Sequence, residues 1–422
     1  MTVPSCGVRG RPRRPGDGRG LMRVLMISFD PSIVGDSGPD DTRNRHVKYA
    51  AALRRHDPEG RIDVIVKAPT SWSPEARAVV DGLVVHPVPC RRLTFAAGAL
   101  RAGRRLVSQG RFDLVTTQTP FDDGMAGVWL KRRYGVALNV QMRSSFLGLS
   151  HWIRQRPLLY RSFNLLGQWV ATRADTIRVV SRAEAQRLGQ RYPRLKQKLV
   201  YLSPMVDRAT FEAPLRAEER AVAEAALRRR GLEDVPFFLY VGRLSAEKNV
   251  GTLIRAFALA RDQGSPAALV LAGDGPLRGE LEGQARALGV GPRVVWLGGI
   301  RPDALRPWFA SAVGLLLASF HEGFPRVVVE SYLQSTPVIV TPFVSARELV
   351  RDAETGFIAP NFEDAAWVCD RMIYLLRHPA RARMMGRRGK AHIETCLLPE
   401  DEYLDRLVGI WRETAARARR GS

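Results

Sequence analysis

An apolar run, Leu315-Leu316-Leu317, leads into a polar loop, and past Gly323 and Pro325 a second apolar run restarts at Val327. Gly and Pro punctuate local structure, so the segment reads as a buried strand, a tight loop and a helix start. The same grammar runs through the chain. Leu21 to Ile27 is apolar and is followed, after a loop from Asp30 to Asp41, by a helical pattern from near Thr42 to near Arg55. Further strands are expected at Ile62 to Val66, Asp113 to Pro120 (running into a loop), Ala137 to Arg143, Ala174 to Ser181 and Phe237 to Val241, with a helix from about Gly124 to Arg133. Strands that alternate with helices build a parallel sheet covered on both faces. A chain of 422 residues is too long for one core and suits two such α/β domains.

Composition narrows the class. With 45% apolar and 25% charged residues the chain is ordinary for a globular protein. No apolar run approaches the roughly 20 residues that span a bilayer, so nothing integral to a membrane is expected. Residues 1–20 carry five Arg and one Asp among Gly and Pro and read as a basic disordered tail, with Met22 as an alternative start. Cys6, Cys90, Cys369 and Cys396 have neither metal-site pairing nor the density of a disulfide scaffold, which points to a reducing cytoplasm.

The net charge of +23 is unevenly placed: residues 21–205 hold 30 Lys and Arg against 14 Asp and Glu, and residues 206–422 hold 30 against 27. An anionic partner for the first half, or an arginine-rich composition without one, fits this asymmetry. Zinc-finger spacing and aromatic RNA-binding signatures are both missing, so no specific nucleic-acid partner is expected. Between Arg143 and Lys198 there are 12 basic residues against two acidic ones, interleaved with Trp152, Leu158, Leu159, Tyr160, Phe163, Leu166 and Trp169. After Pro157 the apolar residues recur at helical spacing. That face either packs on the first domain or lies on an anionic membrane surface as a peripheral element.

Glu322 and Glu330 stand in the opening segment with seven residues between them. A helix from Val327 places Glu330 about one turn inside it and leaves Glu322 on the loop. The two can grip separate parts of one ligand; equally, Glu322 can cap the helix while Glu330 is solvated. Arg243 and Lys248 follow the strand Phe237 to Val241 on a loop; by itself a basic pair after a strand is more often a solvated loop. Gln118 and Arg143 close two strands of the first half. Neither serves as a base at neutral pH; Arg143 can pair with a phosphate or an acidic acceptor, and a structural role fits each residue equally well. Arg43 and Arg45 are expected to face solvent or an acidic partner.

The segment Ser319 to Glu330 resembles the E-x7-E motif of glycosyltransferase family 4, whose members have the GT-B fold of two facing Rossmann-like domains. Tyr240-Val241-Gly242-Arg243-Leu244-Ser245-Ala246-Glu247-Lys248-Asn249 is similar to the family's G-R-L-x-x-E-K-N segment, and Leu269 to Leu277 to its strand and G-x-G-P turn. Gly298-Gly299, Pro337-Val338-Ile339, Arg347 to Val350 and Gly356-Phe357 follow in the family's order, so the match covers residues 237–360.

The resemblance implies a cytoplasmic enzyme, possessing an acceptor-side domain over residues 21–205, a nucleotide-sugar donor domain over 206–399 and a helix at 400–417 crossing back to the first. It implies transfer of a hexose, with retention, from a nucleoside-diphosphate sugar to a glycan or lipid-linked acceptor in cell-surface polysaccharide or glycolipid biosynthesis. The alternative is a non-catalytic relative that binds a sugar nucleotide or a partner. No cofactor or metal is implied, the nucleotide sugar being a co-substrate. Arg243 and Lys248 would stabilise the leaving diphosphate, Glu330 would accept from the ribose hydroxyls, and Glu322 would contact the donor sugar in a pocket shaped by Gly323, Phe324 and Pro325. Gln118 and Arg143 stand where relatives carry a histidine. The first loop holds only Gly35 and Gly38, and Ser331 to Ser335 and Val344-Ser345 replace small residues, so altered sugar choice or a blocked pocket is expected there.

Overall fold

The computed structural model describes residues 22–34, 41–75 and 77–420. The basic tail, Gly35 and Gly38 lie outside the described residues. Among the described residues, fourteen strands form two sheets. The first contains β1 (Arg23–Ser28), β2 (Arg61–Ala68), β3 (Arg77–Val80), β4 (Leu83–Pro89), β5 (Leu114–Thr117), β6 (Ala137–Met142), β7 (Thr176–Val179) and β8 (Leu199–Tyr201). Its order is β3-β4-β2-β1-β5-β6-β7-β8, parallel except where β3 meets β4. The second contains β9 (Phe237–Val241), β10 (Ala268–Ala272), β11 (Val294–Gly298), β12 (Gly314–Leu317), β13 (Val338–Val340) and β14 (Gly356–Ile358), in the order β11-β10-β9-β12-β13-β14.

Both orders reverse direction beside their first strand, between β1 and β5 and between β9 and β12. Loops diverge to opposite faces at such a switch point and leave a crevice at the carboxyl ends of the strands, where ligands bind in open α/β sheets. Every residue of β9, β10 and β12 is buried, which matches their unbroken apolar sequences and the coverage of both faces by helices.

Apolar side chains fill both faces of the first sheet. One of those layers is completed by the last helix, Glu400–Arg420, through Tyr403, Leu407, Ile410 and Trp411. It is fixed at both ends by Lys48–Glu400 at 2.7 Å and Arg419–Asp113 at 2.7 Å, while Thr414 Oγ1 meets Thr176 Oγ1 at 2.6 Å beneath the sheet. The helix expected from Gly124 spans Asp122–Tyr134. Its earlier start has a local cause, since the Asp123 carboxylate accepts from the backbone N–H of Gln118 and Thr119 at 2.7 and 2.8 Å.

The two domains touch beside the crevices. Ser145 Oγ donates to the Glu322 carbonyl at 3.2 Å, and the Ala183 N–H donates to Glu348 Oε2 at 3.1 Å. Gly323 makes this approach feasible: a Cβ there would stand 2.4 Å from the Arg143 carbonyl oxygen. The glycine read as a turn former is therefore also the point where one domain's loop lies on the other.

Candidate active site

The loops after β9 and β12 flank the second switch point, and the backbone ties them together: the Phe320 N–H donates to the Glu247 carbonyl at 2.9 Å. Lys248 closes a 3-10 turn, Ala246–Lys248, and Asn249 then adopts a left-handed conformation (φ 49°) that redirects the chain into the helix Val250–Asp262. Asparagine tolerates this conformation better than most residues. Its side chain also donates to the Phe362 carbonyl at 2.7 Å. This turn delivers the Lys248 ammonium to Glu322 Oε1 at 2.6 Å, where Ser319 Oγ also donates at 2.7 Å. Below the pair, burial and the negative charges of Glu322 and Glu247 push the Tyr240 phenol well above its ordinary range. The Tyr240 hydroxyl donates to the Arg243 carbonyl at 2.8 Å, and the Arg243 guanidinium is exposed. The turns after β9 and β10 lie in contact, because Gly273 sits at φ 147° and a Cβ there would meet the Gly242 oxygen at 1.9 Å.

Pro325 precedes the helix Arg326–Leu333, and Glu330 lies inside it, 6% exposed. The reading of Glu330 as a solvated helix residue is therefore wrong. The side chains after it also point away from the cleft: Ser331 Oγ donates to the Thr336 carbonyl at 3.0 Å, Tyr332 meets Thr355 Oγ1 at 3.0 Å, and Gln334 bonds the Phe211 carbonyl. They fill the second domain's core, so the expectation that they crowd a pocket is corrected. Val344 is half-buried and Ser345 fully buried.

Across the cleft, a cavity of about 300 Å³ is lined from both domains, by Gln118, Gln141, Arg143 and Arg178 on the first and by Phe324 and Arg326 on the second. Arg143 Nη1 donates to Gln118 Oε1 at 3.3 Å, so these two sequence candidates meet. Arg143 reaches cleft solvent yet has protein on most sides; this enclosure, then the charges of Arg45 and Arg178, lower its pKa. Arg45 is buried in the same cavity and does not face bulk solvent, because Thr42, Arg45 and Tyr49 share a helix face turned to the cleft. Arg43 is half-buried.

A histidine does line the cleft, on that same helix. His46 Nδ1 lies 2.7 Å from the Thr42 carbonyl and Nε2 lies 3.2 Å from Met26 Sδ, so neither nitrogen is aimed at the cavity as a base. Burial, with Arg45 and Arg143 nearby, lowers its pKa to about 4 and keeps it neutral. Sequence reasoning assigned no role to Ser319, His46, Arg178 or Arg326, and it set Arg45 toward solvent or an acidic partner and not in a cavity. Arg178 was the most detectable, being a lone charge in a strand buried throughout.

Two parallel-sheet Rossmann-like domains facing across a cleft define the GT-B class of glycosyltransferase. The structure superposes on sucrose-phosphate synthase from Thermosynechococcus elongatus with a TM-score of 0.77 and 20% identity, covering 94% of this chain and 99% of that one. Alr3699/HepE of Anabaena, solved in complex with UDP and glucose, superposes with a TM-score of 0.69 at 17% identity, covering 92% and 98%. Residues 224–392 match the family model described as glycosyl transferases group 1, and residues 43–204 match the glycosyl transferase 4-like domain. D-inositol 3-phosphate glycosyltransferase of Xylanimonas cellulosilytica is 26% identical over 368 residues, spanning 82% of this chain and 86% of that protein. The chain belongs to glycosyltransferase family 4.

Proposed function

We propose that this glycosyltransferase moves a hexose, with retention and without a metal, from a nucleoside-diphosphate sugar to a glycan or lipid-linked acceptor in cell-surface polysaccharide or glycolipid synthesis. The observation that carries the donor assignment is the Lys248–Glu322 pair, held at 2.6 Å by the two loops that flank the second switch point. In this reading the donor diphosphate draws on Lys248 and on the exposed Arg243, whose charges offset the negative charge that develops as the glycosidic bond breaks. Glu322, restrained by Ser319, meets the donor sugar, and Glu330 accepts from the ribose hydroxyls. Gly323, Phe324 and Pro325 shape the sugar pocket. The solved neighbour holding UDP and glucose supports a nucleotide-sugar donor. Among the described residues no three His, Cys, Asp or Glu side chains converge to hold a metal ion.

The helix Pro157–Arg173 supports a peripheral place on an anionic membrane. Gly167, Val170 and Ala171 are buried against the domain, while Leu158 and Leu165 are 86% and 66% exposed beside Arg154, Arg156 and Arg161. Among the described residues no helix is long and apolar enough to cross a membrane.

Incubation with UDP-, GDP- and ADP-sugars and an acceptor panel, with NMR of the product's anomeric proton, tests this reading. An α-linked product from an α-linked donor supports it. An inverted product contradicts retention, and a protein that binds none of the nucleotides contradicts the whole assignment.

A further inference from the structure

The loop that carries Glu322 is met residue by residue from the other domain. Phe320 lies against the His151 ring with centroids 4.1 Å apart, and His321 meets the Phe146 ring edge-on at 5.7 Å. The Glu322 carbonyl lies 3.2 Å from Ser145 Oγ, and Gly323 rests on the Arg143 and Ser144 backbone. All of these first-domain partners come from one stretch, residues 143–151, which leaves the end of β6 and enters the helix Ser150–Gln155. His151 also stacks on Phe362 at 5.2 Å, and the Phe362 carbonyl accepts from Asn249, next to Lys248. Both loops that flank the second switch point are therefore touched by the same stretch.

Ser145 is the side chain that makes the polar contact in this set, and it has no exposed surface. Its oxygen also lies 2.9 Å from Glu184 Oε2. A carbonyl and a carboxylate only accept, and a hydroxyl has one proton to give, so the two compete for it. The carboxylate is already served: Arg187 donates to Oε1 through Nη2 at 2.7 Å and to Oε2 through Nε at 2.8 Å. Glu184 is 1% exposed and sits in the first turn of the helix Arg182–Arg191, where its N–H donates to the Ser181 hydroxyl at 3.1 Å. The Glu184–Arg187 pair thus fixes the Ser145 oxygen in place and can release its proton to Glu322.

The Glu322 carboxylate is held within its own domain by Lys248 and Ser319, whereas its main chain is held from across the cleft. The direction in which this side chain leaves the loop is therefore set by both domains. Arg243, Lys248 and Glu330 all lie on the second domain and are independent of Ser145 for their place in it.

Resting on the glycosyltransfer reading above, we propose that Ser145 is a positioning residue for transfer, one that sets the Glu322 side chain against the donor sugar through the Glu322 carbonyl and is anchored from behind by Glu184 and Arg187. It acts through Glu322 and not on the reacting atoms.

The test uses full-length wild type, Ser145→Ala and Gly323→Ala, the last because a Cβ 2.4 Å from the Arg143 oxygen forces the loop off the first domain while Ser145 stays in place. Hydrogen exchange is measured first on the ligand-free proteins. We expect several-fold faster exchange in both variants over residues 319–324, where the Phe320 N–H bonds the Glu247 carbonyl, with β9 and β12 unchanged. Unchanged exchange over that segment in Ser145→Ala overturns the proposal. Calorimetry and steady-state assays then use the sugar nucleotide that raises the wild-type Tm most, and its nucleoside diphosphate. In Ser145→Ala, kcat should fall about tenfold, the scale of one lost hydrogen bond, while affinity for the nucleoside diphosphate stays within about twofold. The extra affinity that the sugar adds to the nucleoside diphosphate should shrink in step with kcat. An equal loss of nucleoside-diphosphate affinity, or faster exchange spread through the first domain with a lower Tm, would make Ser145 merely structural and overturn the proposal. If wild type binds no sugar nucleotide, the donor reading fails, and the exchange measurement still decides whether Ser145 holds the loop.

Discussion

The two sides of the cleft handle charge in opposite ways. On the second domain, Lys248 is met by Glu322, and Glu322 by Ser319, so the loops after β9 and β12 form a neutralised, internally bonded cluster before any ligand arrives. On the first domain, Arg143 and Arg178 face a cavity whose one carboxylate among the described residues, Asp30, accepts from Ser32 and Thr42 and stands within reach of the Arg143 charge. Pairing on one side favours a ligand that exchanges partners with the pair. A surplus on the other favours a ligand that brings its own negative charge. The contrast argues that the sides recognise different parts of the reaction.

The sharpest way to break the comparison is Lys248→Ala. It removes a cation proposed to act on the leaving diphosphate and strands Glu322, so turnover should fall by roughly 10²–10³-fold in steady-state assays. A turnover near wild type would dissolve the donor-side half of the contrast. Glu330→Ala comes next and should weaken nucleoside-diphosphate binding by about 10–100-fold in calorimetry.

His46 sharpens the other half, since its neutrality leaves the cavity's positive charge to arginine alone. Its folded pKa, about 4, lies below the ordinary value of 6.5. A group depressed in this way contributes stability that is present above pH 6.5 and is lost as pH falls toward 4. Between pH 7 and pH 5 that loss should be about 2 kcal/mol by urea denaturation. His46→Asn should flatten the profile; an unchanged profile would show that the histidine is charged or solvated. Smallest of all, Leu158→Ser should change stability by less than about 0.5 kcal/mol, because the side chain is 86% exposed. It should nonetheless reduce flotation with anionic vesicles, and equal flotation would remove the membrane reading.

The same asymmetry governs what was legible in the sequence. The side proposed to bind the donor is written in short contiguous segments, because a strand end, a glycine turn and a helix start must follow one another to build each loop; Arg243 to Asn249 and Ser319 to Glu330 carry those loops nearly whole. The β/α alternation was legible for a related reason, its apolar periodicity being local, whereas the returning helix was implied by the family resemblance. The arginine cavity draws one residue each from distant segments at Arg45, Arg143, Arg178 and Arg326, and only the sheet order brings them together. Arg45 shows the limit clearly. Near a helix start, arginine reads as solvated, and nothing local reveals that this helix turns that face to the cleft. Tyr332 fails in the reverse direction, since its bulk suggested a blocked pocket but the hydroxyl reaches Thr355 inside the core.

The most direct measurement is a paired calorimetric titration of the preferred nucleoside diphosphate into wild type, Glu330→Ala and Arg143→Gln. The account predicts that Glu330→Ala loses most of the nucleotide affinity and that Arg143→Gln stays within about twofold of wild type. Equal losses in the two variants would contradict it, because the arginines would then belong to the donor site and the cleft would have one charged side instead of two.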